Sequence, residues 1–418
     1  MTLSQPHDLA EERAIPRIAG DQSMAFLAEG YRFGQRRFDE YGADAFRTHL
    51  MGRPVLFLRG TEAARFFYEG QRFTRSGAMP RSVQHSLQDE GSVQALVGEA
   101  HHERKALFLN LLDEREQGQL RRCFRDEWDA AIGRWGSRRV RLYDEAADVL
   151  TRAACAWAGI SIDAADARRR SIEFVAMING AGSFGPKNWR GRALRLRTEK
   201  WARTVVQQAR ESDDDSVVTR LVRYRDADGG GLDDETAAVE LLNLVRPTVA
   251  VAHFITFAAL ALERHPRWAE HVRESDDQLR SFVQEVRRTA PFFPLVGGTA
   301  DRQLTWMGEE VAEGAWVMLD LFATNRDARV WDDPLMFRPE RHDAGPSPKD
   351  ALIAQGAGDY ADGHRCPGEP ATIELLEEAV LLLTRSMRYD VPEQNLRVDL
   401  GTLPARPASG FLIENVTS

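Results

Sequence analysis

The chain has 418 residues, 43% hydrophobic and 28% charged, with a formal net charge of −9. That is the composition of an ordinary globular protein with a core large enough to enclose a cofactor. The acidic balance argues against nucleic acid or an anionic membrane as a partner. The three cysteines, Cys123, Cys155 and Cys366, make no CxxC pair and no even framework, which points to a reducing compartment and away from structural zinc.

Taken in order, the chain begins with neither a basic start nor an apolar stretch. No signal peptide is therefore expected, and a cytoplasmic location is. Residues 54–60 predict a short strand and turn, after which Thr61 caps a helix. Helices follow over 98–113, 118–136 and 142–158, and a basic, aromatic patch at 184–192 opens another that runs to about Ser212. The glycine-rich segment 226–233 predicts a loop. Long helices are expected at about 234–264 and 276–289. The longest apolar run, 241–262, contains Arg246, Pro247 and His253, so it predicts a buried helix and no membrane span. Strand-like pieces then fall at 304–307, 315–320, 396–400 and 410–413. No repeat or clear boundary divides the chain. The fold class expected is mainly α with small β-sheets.

Two stretches carry the chemistry. Residues 355–370 read QGAGDYADGHRCPGEP, a glycine-rich loop that delivers Cys366 to the mouth of an apolar helix. Free amides and the dipole there favour thiolate over thiol, and a thiolate aimed from a loop at an open face suits a heme-thiolate site. A small packed cysteine is the alternative. The second is Arg246, a guanidinium in a helix apolar nearly all round, which needs a partner. Its helical neighbours at three and four residues are Leu242, Asn243, Val249 and Ala250, none a carboxylate. A distant Asp or Glu, or the anionic head group of a ligand held bidentately, would answer that need. Pro247 removes the amide that would bond the Asn243 carbonyl, so a bend is expected there. Glu285 and Arg288, three apart on one helical face, read by themselves as an exposed pair of little worth.

The order Glu285-x-x-Arg288, then FRPER at 337–341, then the Cys366 loop resembles the cytochrome P-450 superfamily. Val245-Arg246-Pro247 replaces the usual glycine, acid and alcohol of the central helix, with Thr248 as the lone alcohol. Asp359 replaces the usual Phe before the cysteine. Both departures resemble the bacterial fatty-acid peroxygenase branch, and GAMP at 77–80, the region 98–107, FVQEVRR at 282–288, PFFP at 291–294 and YDVPEQNL at 389–396 extend the likeness over almost the whole chain.

The resemblance implies a cytochrome P-450 fold. It would be a single heme-enclosing domain over residues 1–418, with a small β-containing N-terminal lobe and a larger helical lobe that are not independent. It implies heme b with Cys366 as the iron ligand, and a structural charge triad of Glu285, Arg288 and Arg341. Arg75, His101 and Lys105 are expected at the heme propionates, or else are solvated. Arg246 with Pro247 would seat a fatty-acid carboxylate that moves the protons of hydrogen peroxide. A carboxylate pinned there leaves only the α and β carbons within reach, and the α-position is favoured over β. No redox partner is required. Gln94 falls where alkene-forming relatives have His and hydroxylating ones have Gln, Gln88 falls where some have Phe, and Phe292 and Leu295 match acyl-channel positions or simple core. Of the remaining groups, His253 is expected to be a core histidine, His85 and His102 surface residues, and Cys123 and Cys155 packing residues. The alternatives are decarboxylation to terminal alkenes, a conventional redox-partner-dependent monooxygenase, and a non-catalytic heme-binding sensor.

Overall fold

The apolar run at 241–262 lies inside a 31-residue helix, Asp234–Arg264, that starts at the Asp233 cap, whose carboxylate accepts from the Thr236 amide at 2.7 Å. The protein is described here by a computed structural model covering residues 14–80, 92–182 and 185–418. Among these residues that helix alone is long and apolar enough to cross a membrane, yet 89% of its apolar window is buried inside the fold. It is the core helix that an all-round apolar pattern implies. Leu142–Ala158, Pro186–Glu211 and Glu369–Leu381 pack against it. The helix stays one element through Pro247.

Helices dominate, and their expected bounds hold closely at Leu142–Ala158, Asp234–Arg264 and Asp276–Thr289. The helix expected from 118 starts at Glu114, because Asp113 accepts the Glu116 amide at 2.9 Å and so caps it earlier. Thr61 is not a cap. Gly60 occupies that position at φ 97°, a conformation open to glycine, and its amide donates to Thr324 Oγ1 at 3.0 Å. The helices Ala164–Ala181 and Val217–Arg223 went unpredicted.

The largest sheet has six strands in the spatial order Arg17–Asp21, Ala45–Leu50, Arg53–Leu58, Trp316–Asp320, Leu295–Ala300 and Phe73–Thr74. Arg53–Leu58 runs parallel to Trp316–Asp320, a pairing between segments far apart in sequence. Leu412–Thr417 forms a three-stranded sheet with Arg388–Asp390 and Val140–Arg141. The strand expected at 396–400 is reduced to a single bridge, Val398 to Pro407. Asp399 turns the chain there by accepting the Gly401 amide at 3.0 Å.

Candidate active site

The Cys366 loop is held from several sides. Gly356 and Gly358 adopt φ 97° and 78°, and a Cβ on either would come within 2.8 Å of Tyr68. Only glycine lets the loop lie against that ring. Lys105 Nζ donates to the carbonyls of Gly363 at 2.6 Å and Arg365 at 2.5 Å. Tyr360 donates to the Pro367 carbonyl at 2.8 Å, and the Cys366 amide bonds the Gln355 carbonyl at 3.1 Å. Beneath the loop, Arg287 bonds Gln355 Oε1 and pairs with Glu369, whose other oxygen takes Arg365 Nε at 2.6 Å. These bonds fix where the sulfur sits.

Burial opposes the helix-mouth amides at the sulfur. Burial pushes the Cys366 thiol up, and this outweighs the Gly368 amide and the Lys105 and Arg287 charges that favour thiolate. Cys366 would hold a heme iron here, and that cation would add to the positive charge favouring thiolate.

Beside the loop lies a cavity of about 640 Å³, lined by Arg75, Gly98, His101, Gly363 and His364 among others. Arg75 Nη1 donates to the Gly297 carbonyl at 3.0 Å, whereas its Nε is buried without a hydrogen-bond partner among the described residues. The His101 and His364 rings lie 3.9 Å apart between centroids. Burial, with Lys105 adding to it, holds His101 down at about 4, so its ring is neutral at pH 7 and keeps one N–H donor. An orphaned guanidinium nitrogen and a buried imidazole facing one cavity next to a cysteine loop fit the carboxylate edge of a heme. Lys105, expected at the same edge, instead spends its ammonium on the Gly363 and Arg365 carbonyls of the loop.

On the central helix, Arg246 is 4% exposed and its Nη2 donates to Asn243 Oδ1 at 2.9 Å. Asn243 Nδ2 donates to Glu240 Oε2 at 2.9 Å and to Gln94 Oε1 at 3.3 Å. Glu240 is fully buried and accepts from Arg104 Nη1 at 2.6 Å and the Val93 amide at 3.0 Å. Burial pushes its carboxyl up, while Asn243 and Arg104 pull it back. Thr248, the lone alcohol, donates to the Leu244 carbonyl at 2.9 Å. Sequence reasoning missed Glu240 and Arg104. The signal was Glu-x-x-Asn-x-x-Arg, three polar groups at three-residue steps on one stripe, extending beyond the neighbours at three and four.

Phe292 and Leu295 line one apolar cavity of about 140 Å³, with Ile178, Met318 and Leu403. Their turn is pinned twice. Tyr31 Oη lies against the Pro291 carbonyl at 2.7 Å and against that of Phe292, and His253 Nε2 donates to Pro291 O at 3.1 Å. His253 is 1% exposed, and burial holds it down at about 3, as befits a neutral core histidine. Cys155 is buried and Cys123 half-buried against the core. His102 is half-buried, its Nε2 3.3 Å from Gln71 Nε2. His85 and Gln88 lie outside the described residues.

Glu285 and Arg288 are no exposed pair. Both are completely buried, with Arg288 Nη2 2.7 Å and Nε 2.8 Å from the two Glu285 oxygens. Arg341 Nε at 3.3 Å, His342 Nε2 at 3.0 Å and the Arg338 amide at 2.8 Å complete the carboxylate's shell. Arg288 Nη1 reaches the Asn325 and Pro334 carbonyls, and Nη2 also reaches that of Met336.

No protein-family model matches the chain. Among curated proteins it is similar to cytochrome P450 26C1 of Mus musculus, 25% identical over 94% of this chain and 85% of that one. Solved structures are closer in length and sequence. Cytochrome P450SP alpha (CYP152B1) in complex with (R)-ibuprophen superposes with a TM-score of 0.92 at 39% identity, over 96% of this chain and 99% of that one. Cytochrome P450EX alpha (CYP152N1) with myristic acid gives 0.93 at 34%, and a variant of cytochrome P450 OleT in complex with arachidonic acid 0.93 at 31%, each over 97% of this chain and 99% of theirs. The fold is that of a cytochrome P-450, a heme-iron oxidoreductase whose iron is held by cysteine. With near-complete coverage at 39% identity, this chain belongs to the cytochrome P-450 superfamily, in the branch of the CYP152 fatty-acid peroxygenases.

Proposed function

We propose that this protein uses hydrogen peroxide to hydroxylate medium- and long-chain fatty acids beside the carboxylate, at the α-position in preference to β. The balance is one C–H bond and one peroxide converted to one C–OH and one water. The observation that carries the reading is Arg246, a guanidinium 4% exposed on the apolar central helix with its Nη2 on a neutral amide oxygen. Relatives with myristic and arachidonic acid bound support the substrate class.

In this reading Arg246 binds the fatty-acid carboxylate, and Pro247, which has no N–H, leaves the Asn243 carbonyl beside it without a helical donor. Phe292 and Leu295 hold the acyl chain, and Gln94 borders the carboxylate end. Cys366 ligates heme b, with Arg75 and His101 on its propionates and Lys105 bracing the loop. When bound, the heme supplies the redox chemistry that cleaves the O–O bond and oxidises the C–H bond. The carboxylate on Arg246 takes a proton from one peroxide oxygen and returns it to the other. Because it is fixed at one end of the chain, the carbons next to it are the ones held within reach. No redox partner takes part, the chain works as one heme-enclosing unit, and three free cysteines fit a cytoplasmic setting.

The test is product analysis by mass spectrometry, with purified heme-loaded protein, a fatty-acid panel and peroxide but no reductase. Mainly 2-hydroxy acids are expected. Turnover that needs an electron-transfer partner and reduced nicotinamide would overturn the reading, and terminal alkenes as the main product would move it to decarboxylation.

A further inference from the structure

The polar stripe Glu240, Asn243, Arg246 lies on a helix whose other buried positions are almost all apolar. Its hydrogen bonds can be assigned without ambiguity from chemistry. A guanidinium only donates and a carboxylate only accepts. The Asn243 amide stands between them, so its oxygen must face Arg246 and its nitrogen Glu240, at 2.9 Å in each case. Turned over, the amide would set donor against donor at one end and acceptor against acceptor at the other. The second Asn243 N–H goes to Gln94 Oε1 at 3.3 Å, which directs the Gln94 NH₂ away from Asn243.

Glu240 is itself fixed from outside the helix. Oε1 accepts from Arg104 Nη1 at 2.6 Å and the Val93 amide at 3.0 Å, leaving Oε2 for Asn243. Arg104 lies on the helix Gly98–Leu111, whose Lys105 clamps the Cys366 loop. The segment preceding that helix carries both Val93 and Gln94. Through Glu240, the orientation of one side-chain amide on the central helix is tied to the element that also braces the cysteine.

We infer that Glu240 is a positioning residue for the fatty-acid site, setting the orientation of the Asn243 amide and thereby the aim of the Arg246 guanidinium and of the Gln94 amide. The inference rests on the reading of Arg246 as the carboxylate anchor. It makes a specific prediction for Glu240→Gln, a change of one atom. Two donors hold the Oε1 side, so the new NH₂ falls on the Asn243 side, opposite an N–H. Asn243 then turns over and presents its own NH₂ to Arg246, which has to move. Bulk and packing stay the same, and only the direction of the hydrogen bonds changes.

The experiment is calorimetric titration of the heme-loaded enzyme with dodecanoic acid and with 1-dodecanol, which share the chain and differ at the head. In the unmodified protein the acid is expected to bind the more tightly. Glu240→Gln is expected to weaken acid binding about tenfold and leave alcohol binding unchanged, which is about 1.4 kcal/mol of acid preference. Equal weakening of both ligands would mean a packing defect and overturn the inference, as would an unchanged preference. Should Glu240→Gln fail to fold or load heme, Asn243→Leu, which removes the amide and keeps its size, gives the same two readings. Arg246→Ala run alongside separates the two levels of the account. If it keeps the acid preference, the anchor reading fails. If it loses the preference while Glu240→Gln and Asn243→Leu keep it, only the role of Glu240 fails.

Discussion

Two buried arginines on neighbouring helices, Arg288 and Arg246, bond to chemically different groups. Arg288 is wrapped: two bonds to Glu285 and three to backbone carbonyls of distant loops consume its donors, and Glu285 is in turn saturated by Arg341, His342 and the Arg338 amide. The bond from Arg246 to Asn243 reaches a carboxylate at one remove, through the amide to Glu240. A guanidinium locked into a direct fork is a structural rivet. The Arg246–Asn243 bond is made to a neutral amide, and in the proposed function the same guanidinium meets an acid from outside.

That contrast can be broken by substitution, and the largest effect belongs to the anchor. Arg246→Ala is expected to lower fatty-acid turnover about a thousandfold, about 4 kcal/mol of barrier, with heme loading intact. Steady-state kinetics with peroxide and an absorption spectrum check both halves. Arg288→Lys should do the reverse. It keeps the charge and loses the fork, which costs about 3 kcal/mol of stability through the disrupted buried cluster, and urea unfolding and heme retention report it.

The rivet also has a pH signature. Burial raises the Glu285 carboxyl, but the Arg288 and His342 hydrogen bonds outweigh that and hold it at about 2, against an ordinary 4.5. A carboxyl depressed in the fold contributes stability that is fully present above 4.5 and is lost as pH falls from there through 2. Acid unfolding of the unmodified protein should steepen in that window, and Glu285→Gln should flatten it. The smallest effect is expected from Gln94→His, on the margin of the anchor. The alkene share should rise by less than tenfold, below about 1.4 kcal/mol of relative barrier, and a product ratio by mass spectrometry decides it.

What was legible in the sequence was what depends on near neighbours. The Cys366 loop, the Glu285–Arg288 spacing and the bounds of Asp234–Arg264 all follow from local pattern, caps and glycine placement. What was not legible depends on residues that arrive from far away. Glu285 and Arg288 look exposed until Arg341 and His342 close over them more than fifty residues later. The strand Ala45–Leu50 and its neighbours are stabilised by pairings such as Arg53–Leu58 with Trp316–Asp320, which no local period announces. Glu240 lay one three-residue step beyond Asn243, linked to Arg246 through an amide that looked like no partner for a charge. The burial that opposes the Gly368 amide at Cys366 comes from residues far away in sequence, and only the amides can be read locally.

The most direct test of the central claim is whether a carboxylate on Arg246 is the group that makes peroxide usable. With peroxide as the only oxidant, 1-dodecanol is expected to stay unoxidised until acetate is added, and acetate should restore nothing in Arg246→Ala. Oxidation of the alcohol as fast as that of dodecanoic acid, with no carboxylate added, would contradict the account.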